Sequence, residues 1–346
     1  MKVLVTGGTG FLGRHVVRAL IGAGHEVQAL VRSESYTLQR DGAQQVVGDV
    51  LDLEALRAAS EGQEIVVHLA GVVDHKGEPS KLYEVHIEGT RNVVAAASEA
   101  KVSRLIHMSS SGTTAVSSEP EVFSERSPYA LETVRRWPYY LSKIFAEKVA
   151  LEAHARGKVP VVILNPSLLL GPEDERLGSS QLIVRFLRRE LAAVPAGGLN
   201  FVDVRDCAEV TLKALTEGRP GQRYLLGGPN MTFGAFFELL GKVTDVPVPT
   251  FTANRRLGSA TAAVLGGLEA VGGLEGDESV TYAMSNHYWY LDANKARREL
   301  GFRPRNPEVT LRDAVRSIRS RGPLEREKKA TFGGLVRDVQ RLLGRA

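Results

Sequence analysis

At 346 residues, 43% of them hydrophobic and 24% charged, the chain can bury one sizeable core, or a large core with a smaller lobe, and it is not a disordered segment. The formal net charge of +4 is small and partly gathered in the C-terminal tail, which excludes the broad basic footprint of a nucleic-acid binder. A single cysteine, Cys207, excludes an internal disulfide and a cysteine-rich metal site, and it favours a reducing, cytoplasmic setting.

In chain order, Lys2 to Thr6 reads as a strand, and it runs into Thr6-Gly7-Gly8-Thr9-Gly10-Phe11-Leu12-Gly13 rather than into a signal peptide. Arg14 to Gly24 has helical apolar spacing at Val16, Val17, Leu20 and Ile21, and Val27 to Val31 is a second strand. A strand, a glycine turn, a helix and a strand make a βαβ unit, the context in which a glycine fingerprint gains meaning. The glycines fit both Gly7-x-x-Gly10-x-x-Gly13 and Gly8-x-Gly10-x-x-Gly13. Either way, residues without a Cβ let the backbone turn sharply and approach a pyrophosphate that the helix amides can meet. Gly7, Thr9, Gly10, Phe11, Leu12 and Gly13 are therefore candidate dinucleotide contacts. Arg32 follows the second strand, where a ribose 2′-phosphate needs a cation and a plain 2′-hydroxyl usually meets an acid, so NADP(H) is favoured over NAD(H).

Val46 to Val50 is a third short strand ending in Asp49-Val50, and Ile65 to Leu69 with Ala70-Gly71 is a fourth with its turn. Glu88 to Val94 opens a helix just after His86, and Arg104 to Met108 is a fifth strand leading into Ser109-Ser110-Ser111-Gly112. Residues 115–137 are polar and irregular and read as a loop over a substrate site. Beyond Trp137-Pro138, Tyr139-Tyr140-Leu141-Ser142-Lys143 opens a helix running to Ala155, which puts Tyr139 and Lys143 at i and i+4 on one face. A neighbouring ammonium favours a phenolate, so Lys143 is expected to pull the Tyr139 pKa down and make a proton shuttle. A sixth strand, Val159 to Leu164, continues into Asn165-Pro166-Ser167; Phe201 to Asp206 leads from strand to helix, and Arg223 to Gly228 is one more strand.

The glycine turn, the serine run and Tyr139-x-x-x-Lys143, in this order and at these separations, resemble the extended branch of the short-chain dehydrogenase/reductase superfamily. The serine segment is close to that of members like dihydroflavonol reductases and hydroxysteroid dehydrogenases. The resemblance spans about residues 1–320 and implies an α/β fold: a doubly wound Rossmann-type parallel sheet of about seven strands with a smaller C-terminal substrate lobe. It implies residues 1–172, with 201–228 returning, for the dinucleotide domain, and 173–200 with 229–320 for the lobe. It places Asp49 and Val50 beside the adenine, Leu69, Ala70 and Gly71 along the nicotinamide ribose, and Ser109, Pro166 and Ser167 against the nicotinamide side. Aligned without gaps, it puts the catalytic hydroxyl at Ser110, with Ser111 the alternative, and makes Tyr139 and Lys143 both catalytic and cofactor-binding. His86 stands where the family commonly has Asn, which puts a relay role for that side chain in question.

The implied activity is NADP(H)-dependent reduction of a ketone or aldehyde, or oxidation of the alcohol. The alternatives are epimerisation or dehydration of a nucleotide sugar on tightly held NAD(P), and a non-catalytic nucleotide-sensing protein. Arg255-Arg256 could meet a sugar diphosphate, but the weakly polar run from Leu257 to Leu274 beside them fits an apolar or aromatic substrate better. That run is broken by glycines and Glu269 and makes a poor membrane span. In the tail, 323–346, Phe332, Leu335, Val336, Val339, Leu342 and Leu343 fall at helical spacing among basic residues. One amphipathic helix is predicted there, packing on the body or on a second subunit of a homodimer, with peripheral membrane contact as the alternative.

Overall fold

The structure, a computed structural model, describes residues 1–73, 79–191, 193–252 and 278–322. Its centre is a seven-stranded sheet of β1 (Lys2–Thr6), β2 (Glu26–Val31), β3 (Gln44–Val47), β4 (Ile65–His68), β5 (Arg104–Met108), β6 (Val161–Pro166) and β7 (Arg223–Leu226). The spatial order is β3-β2-β1-β4-β5-β6-β7 and every pairing is parallel. The order reverses between β1 and β4, and doubly wound sheets bind ligands outside the strand carboxyl ends at such a point.

Both faces of the sheet are covered, which is why its strands read as nearly continuous aliphatic runs. Val3, Val5, Ile65, Val67, Ile106, Val162 and Leu164 pack on one face, where α1 (Phe11–Gly22) lies. Leu4, Val66, Leu105, Val161 and Ile163 pack on the other, under α2 (Leu53–Ser60), α3 (Gly89–Glu99) and α4 (Pro138–Ala155). The period of two along each strand thus builds two cores at once. α5 (Val204–Ala214) returns to the first face and packs along α1.

A second hydrophobic cluster lies under a three-stranded sheet of Leu168–Leu170, Gly198–Asp203 and Asn230–Thr232. There the helices Gln181–Leu187, Phe233–Thr244 and Pro307–Arg319 bury Phe186, Phe236, Phe237, Leu240, Leu311 and Val315. Phe201 to Asp206 does lead from strand to helix, but α5 already starts at Val204, with Asp203 capping the Arg205 amide at 2.9 Å.

Several bounds differ from the sequence reading, among them β6, at Val161–Pro166 rather than Val159 to Leu164, and α1, at Phe11–Gly22 rather than Arg14 to Gly24. β3 ends at Val47, short of Asp49, and α4 begins at Pro138, whose missing N–H and fixed φ suit the first helical turn. Residues 115–137 are more than a loop: Val122–Phe123 pairs in parallel with Tyr290–Leu291, and Ser117 and Tyr288 exchange backbone hydrogen bonds of 3.0 and 2.8 Å. The expectations for Arg255-Arg256, for residues 257–274 and for the tail 323–346 lie outside the described residues. Among the described residues, no helix is long and apolar enough to cross a membrane.

Candidate active site

The glycine turn joins β1 to α1 at the switch point. Gly7 adopts φ +76°, and its carbonyl accepts the Gly10 amide at 3.0 Å. A Cβ on Gly7 would lie 2.6 Å from the Ala70 nitrogen, so Leu69 and Ala70 form the opposite wall of the turn. A Cβ on Gly13 would lie 2.1 Å from the Gly7 carbonyl oxygen. At Gly10 it would meet only that oxygen, at 3.2 Å, which leaves the other side open. α1 has no side-chain cap and no acid in its first turn, so its leading N–H groups are left for an anion. These features fit a dinucleotide pyrophosphate. Thr9 is exposed, Leu12 is buried and Phe11 packs edge-on to His15 with ring centroids 5.9 Å apart.

Lys143 is buried on the inner face of α4 and donates to the Met108 carbonyl at 3.0 Å, its one hydrogen bond among the described residues. The ammonium carries further protons that a ribose hydroxyl could take. Burial lowers its pKa to about 8, with Glu147 acting in the opposite direction. Burial pushes Tyr139 the other way, up to about 12, and no opposing pull from Lys143 accompanies it. The expected lowering of Tyr139 is therefore not met, because desolvation of the phenolate sets the direction of the shift in this arrangement. Tyr139 keeps its proton at neutral pH.

His86 sits in a π-helical turn, Glu84–Glu88, just before α3. The Val72 amide donates to His86 Nε2 at 3.0 Å, which assigns the ring proton to Nδ1, and Nδ1 donates to the Ser142 hydroxyl at 2.7 Å. Ser142 in turn donates to the Tyr139 carbonyl at 2.7 Å. Burial, helped by Lys143, lowers the His86 pKa to about 2, so the ring is neutral and serves as a brace between Gly71-Val72 and the first turn of α4.

Ser110 caps the short turn Ser111–Thr113, accepting the Gly112 amide at 3.3 Å, and its side chain is half-buried whereas Ser111 is buried. The Ser109 hydroxyl donates instead to Glu147 at 2.5 Å. Glu147 is a fully buried carboxylate on α4 that also receives Thr113, Asn165 and Tyr129. Sequence reasoning missed it. The available signal was an acid at i+4 from Lys143 and i+8 from Tyr139, a position that helical periodicity turns inward.

The remaining candidates spread along the strand ends. Arg32 follows β2, exposed and without an ion pair among the described residues. Asp49 accepts the Leu51 amide at 2.9 Å, and the Val50 carbonyl accepts Asn92 at 3.1 Å. Pro166 ends β6, and the next residue, Ser167, has a buried hydroxyl with no hydrogen-bond partner among the described residues. That orphaned group fits the polar edge of a cofactor.

Asp206, in the first turn of α5, accepts from Arg305 through both its backbone amide and its guanidinium.

Aromatic rings flank the site. Tyr139 and Tyr140 meet edge-on with centroids 5.0 Å apart, Tyr140 lies 5.0 Å from Trp289, and Trp289 stacks on Trp137 at 5.5 Å. A Cβ on Gly112 would run into Tyr140 at 2.2 Å, so this glycine lets the serine turn come up against the rings.

A glycine turn at the switch point, with serine, tyrosine and lysine beside the next strand ends, defines a dinucleotide-dependent enzyme of the short-chain dehydrogenase/reductase class. A sequence profile of the NAD dependent epimerase/dehydratase family matches residues 3–227, and the chain belongs to that family, the extended branch of the class. It is 32% identical to sterol demethylase protein B of Methylococcus capsulatus, over 93% of this chain and 99% of that one. It is 29% identical to a 2-alkyl-3-oxoalkanoate reductase of Stenotrophomonas maltophilia, over 92% and 99%. Among solved structures it resembles gox2253, with a TM-score of 0.82, 31% identity, and coverage of 92% of this chain and 98% of that one.

Proposed function

We propose that the protein uses NADPH to reduce a ketone or aldehyde on an apolar or aromatic small molecule, with Ser110, Tyr139 and Lys143 as its catalytic residues. One observation carries this reading: Tyr139 adjoins Tyr140, which with Trp137 and Trp289 forms a cluster of aromatic rings beside the reacting hydroxyl, a surface suited to an apolar or aryl substrate. The similarity to a 2-alkyl-3-oxoalkanoate reductase supports it. The packing of residues 181–187, 198–203, 230–244 and 307–319 around their own core supports the assignment of 173–200 and 229–320 as a substrate lobe.

When bound, the reduced dinucleotide supplies the hydride. Gly7 to Gly13 and Leu69 to Gly71 would hold the dinucleotide, with Ser109, Pro166 and Ser167 at the end of the site that the resemblance assigns to the nicotinamide. Ser110 donates a hydrogen bond to the substrate carbonyl oxygen, and Tyr139 gives that oxygen its proton. Lys143 would bind the ribose through the ammonium protons that Met108 leaves over. Purified protein should consume NADPH in the presence of apolar or aryl ketones, followed by the absorbance of the reduced nicotinamide. No net consumption, with nucleotide retained through purification, would replace this reading with the epimerase or dehydratase reaction.

The choice of NADPH rests on Arg32. Because its guanidinium is exposed and unpaired among the described residues, it is free to grip a 2′-phosphate. Replacing Arg32 by Ala should raise KM for NADPH by roughly ten- to a hundredfold, as expected for losing a charge-assisted contact, and leave KM for NADH nearly unchanged. An equal effect on both coenzymes would remove Arg32 from the assignment.

A further inference from the structure

We propose that Glu147 is a positioning residue of this reaction, holding the Ser110 loop and the Lys143 ammonium in one fixed relation. The proposal rests on the reductase reading above and adds a residue to it.

The argument starts from α4. Tyr139, Lys143 and Glu147 follow one another at four-residue steps, so the carboxylate lies one turn below the ammonium on the same inward face. A buried carboxylate needs several donors to offset its lost hydration. Here Oε1 receives the Ser109 hydroxyl at 2.5 Å, the Thr113 hydroxyl at 2.9 Å and the Asn165 amide at 2.5 Å. Oε2 receives the Tyr129 hydroxyl at 3.1 Å, with the Arg223 guanidinium 3.7 Å away.

Two of these donors also hold Ser110. Asn165 Nδ2 donates to the Ser110 carbonyl at 3.1 Å, and Thr113 Oγ1 lies 2.9 Å from the same oxygen. The amide has two protons and can serve Glu147 and Ser110 together; the hydroxyl has one and serves either. The Ser110 peptide is thus held between Ser109, which donates to Glu147, and Asn165, which can donate to Glu147 and to the Ser110 carbonyl together, with the Thr113 hydroxyl donating to one or the other. These bonds tie the serine turn to α4.

The charge has a second effect. Facing Lys143 from β4, β5 and the π-helical turn are His68, His107 and His86, all held neutral by burial, and from its own helix Tyr139, held protonated. Glu147 is the group that favours the ammonium; burial raises its own pKa, and Ser109, Arg223, Thr113 and Asn165 pull toward the charged form. Facing Glu147 are Lys143, Tyr129 and Arg223, and Arg223 is further tied to Thr114 and to the Glu125 and Ser127 carbonyls. A neutral amide at position 147 would keep the shape and withdraw the charge.

The test uses the full chain carrying Glu147→Gln, with Glu147→Asp beside it. The titration of Lys143 is followed by the NMR shift of 13C-labelled lysine side chains, with Lys143→Arg to assign the signal. This readout needs neither substrate nor coenzyme. E147Q should shift the Lys143 titration to lower pH and lower kcat by roughly ten- to a hundredfold, the size expected for misplaced catalytic groups, with KM for NADPH little changed. E147D keeps the charge and shortens the arm, so kcat should fall while the titration stays near that of the native protein; this variant carries the test if E147Q does not fold. An unmoved Lys143 titration in E147Q, or native kcat in either variant, overturns the proposal. A shifted titration in a protein that never consumes NADPH overturns the reductase reading and leaves the coupling of Glu147 to Lys143 standing.

Discussion

Replacing Tyr139 by Phe is expected to lower turnover by about a hundred- to ten-thousandfold, the range for loss of a positioned acid, with NADPH affinity almost unchanged. The ring would stay where it is, because its edge-on contacts with His86 at 5.7 Å and Tyr140 at 5.0 Å do not involve the hydroxyl. What is lost is the proton. Since burial holds the phenol near pKa 12, the acid form dominates throughout the neutral range, where it can supply the proton that the proposed carbonyl reduction needs. The reverse reaction needs the phenolate, so alcohol oxidation by the native enzyme should rise with pH where reduction does not. Stopped-flow and steady-state rates of Tyr139→Phe, with coenzyme binding measured by fluorescence, check the assignment; retained turnover would sink it.

The second large effect is expected at Gly13. A methyl placed there would lie 2.1 Å from the Gly7 oxygen, 2.8 Å from the Gly8 Cα and 2.9 Å from the Gly7 carbonyl carbon. All three are backbone atoms, so no rotamer change relieves the clash and the turn must open. Gly13→Ala should cost about 1–3 kcal/mol of stability, as overpacking does. Dinucleotide binding, measured by calorimetry, should fall below detection at ordinary concentrations. Gly22, at the far end of the same helix, is the matched control, since nothing lies within 4 Å of its hypothetical Cβ. There Ala should leave binding unchanged and raise stability by about 0.4–1 kcal/mol through the unfolded chain. Equal binding by Gly13→Ala and the native protein would remove the turn from the site.

Much of this was legible in the chain because the signals are local. The βαβ rhythm, the glycine spacing and Tyr139-x-x-x-Lys143 are each contained within a few turns of backbone. Glu147 was not legible, because its meaning depends on Ser109, Thr113, Tyr129, Asn165 and Arg223, which come from separate segments and meet only in the folded protein. The direction of the Tyr139 shift was hidden for the same reason. Spacing reveals a neighbouring charge, but desolvation is a property of everything packed around the ring. His86 shows a milder case: the substitution for Asn was visible, but its brace between Val72 and Ser142 needed the π-helical turn.

The pairing of Val122–Phe123 with Tyr290–Leu291 bears on how the protein is made. During synthesis, β1 to β6 and the glycine turn leave the ribosome long before residue 289 does. Until Trp289 arrives, Trp137 and Tyr140 lack their stacking partner and present an apolar face beside α4. A nascent chain can therefore complete its coenzyme cradle early, but it completes the aromatic cluster only after residue 289 has been made. Chaperone demand should fall on that interval.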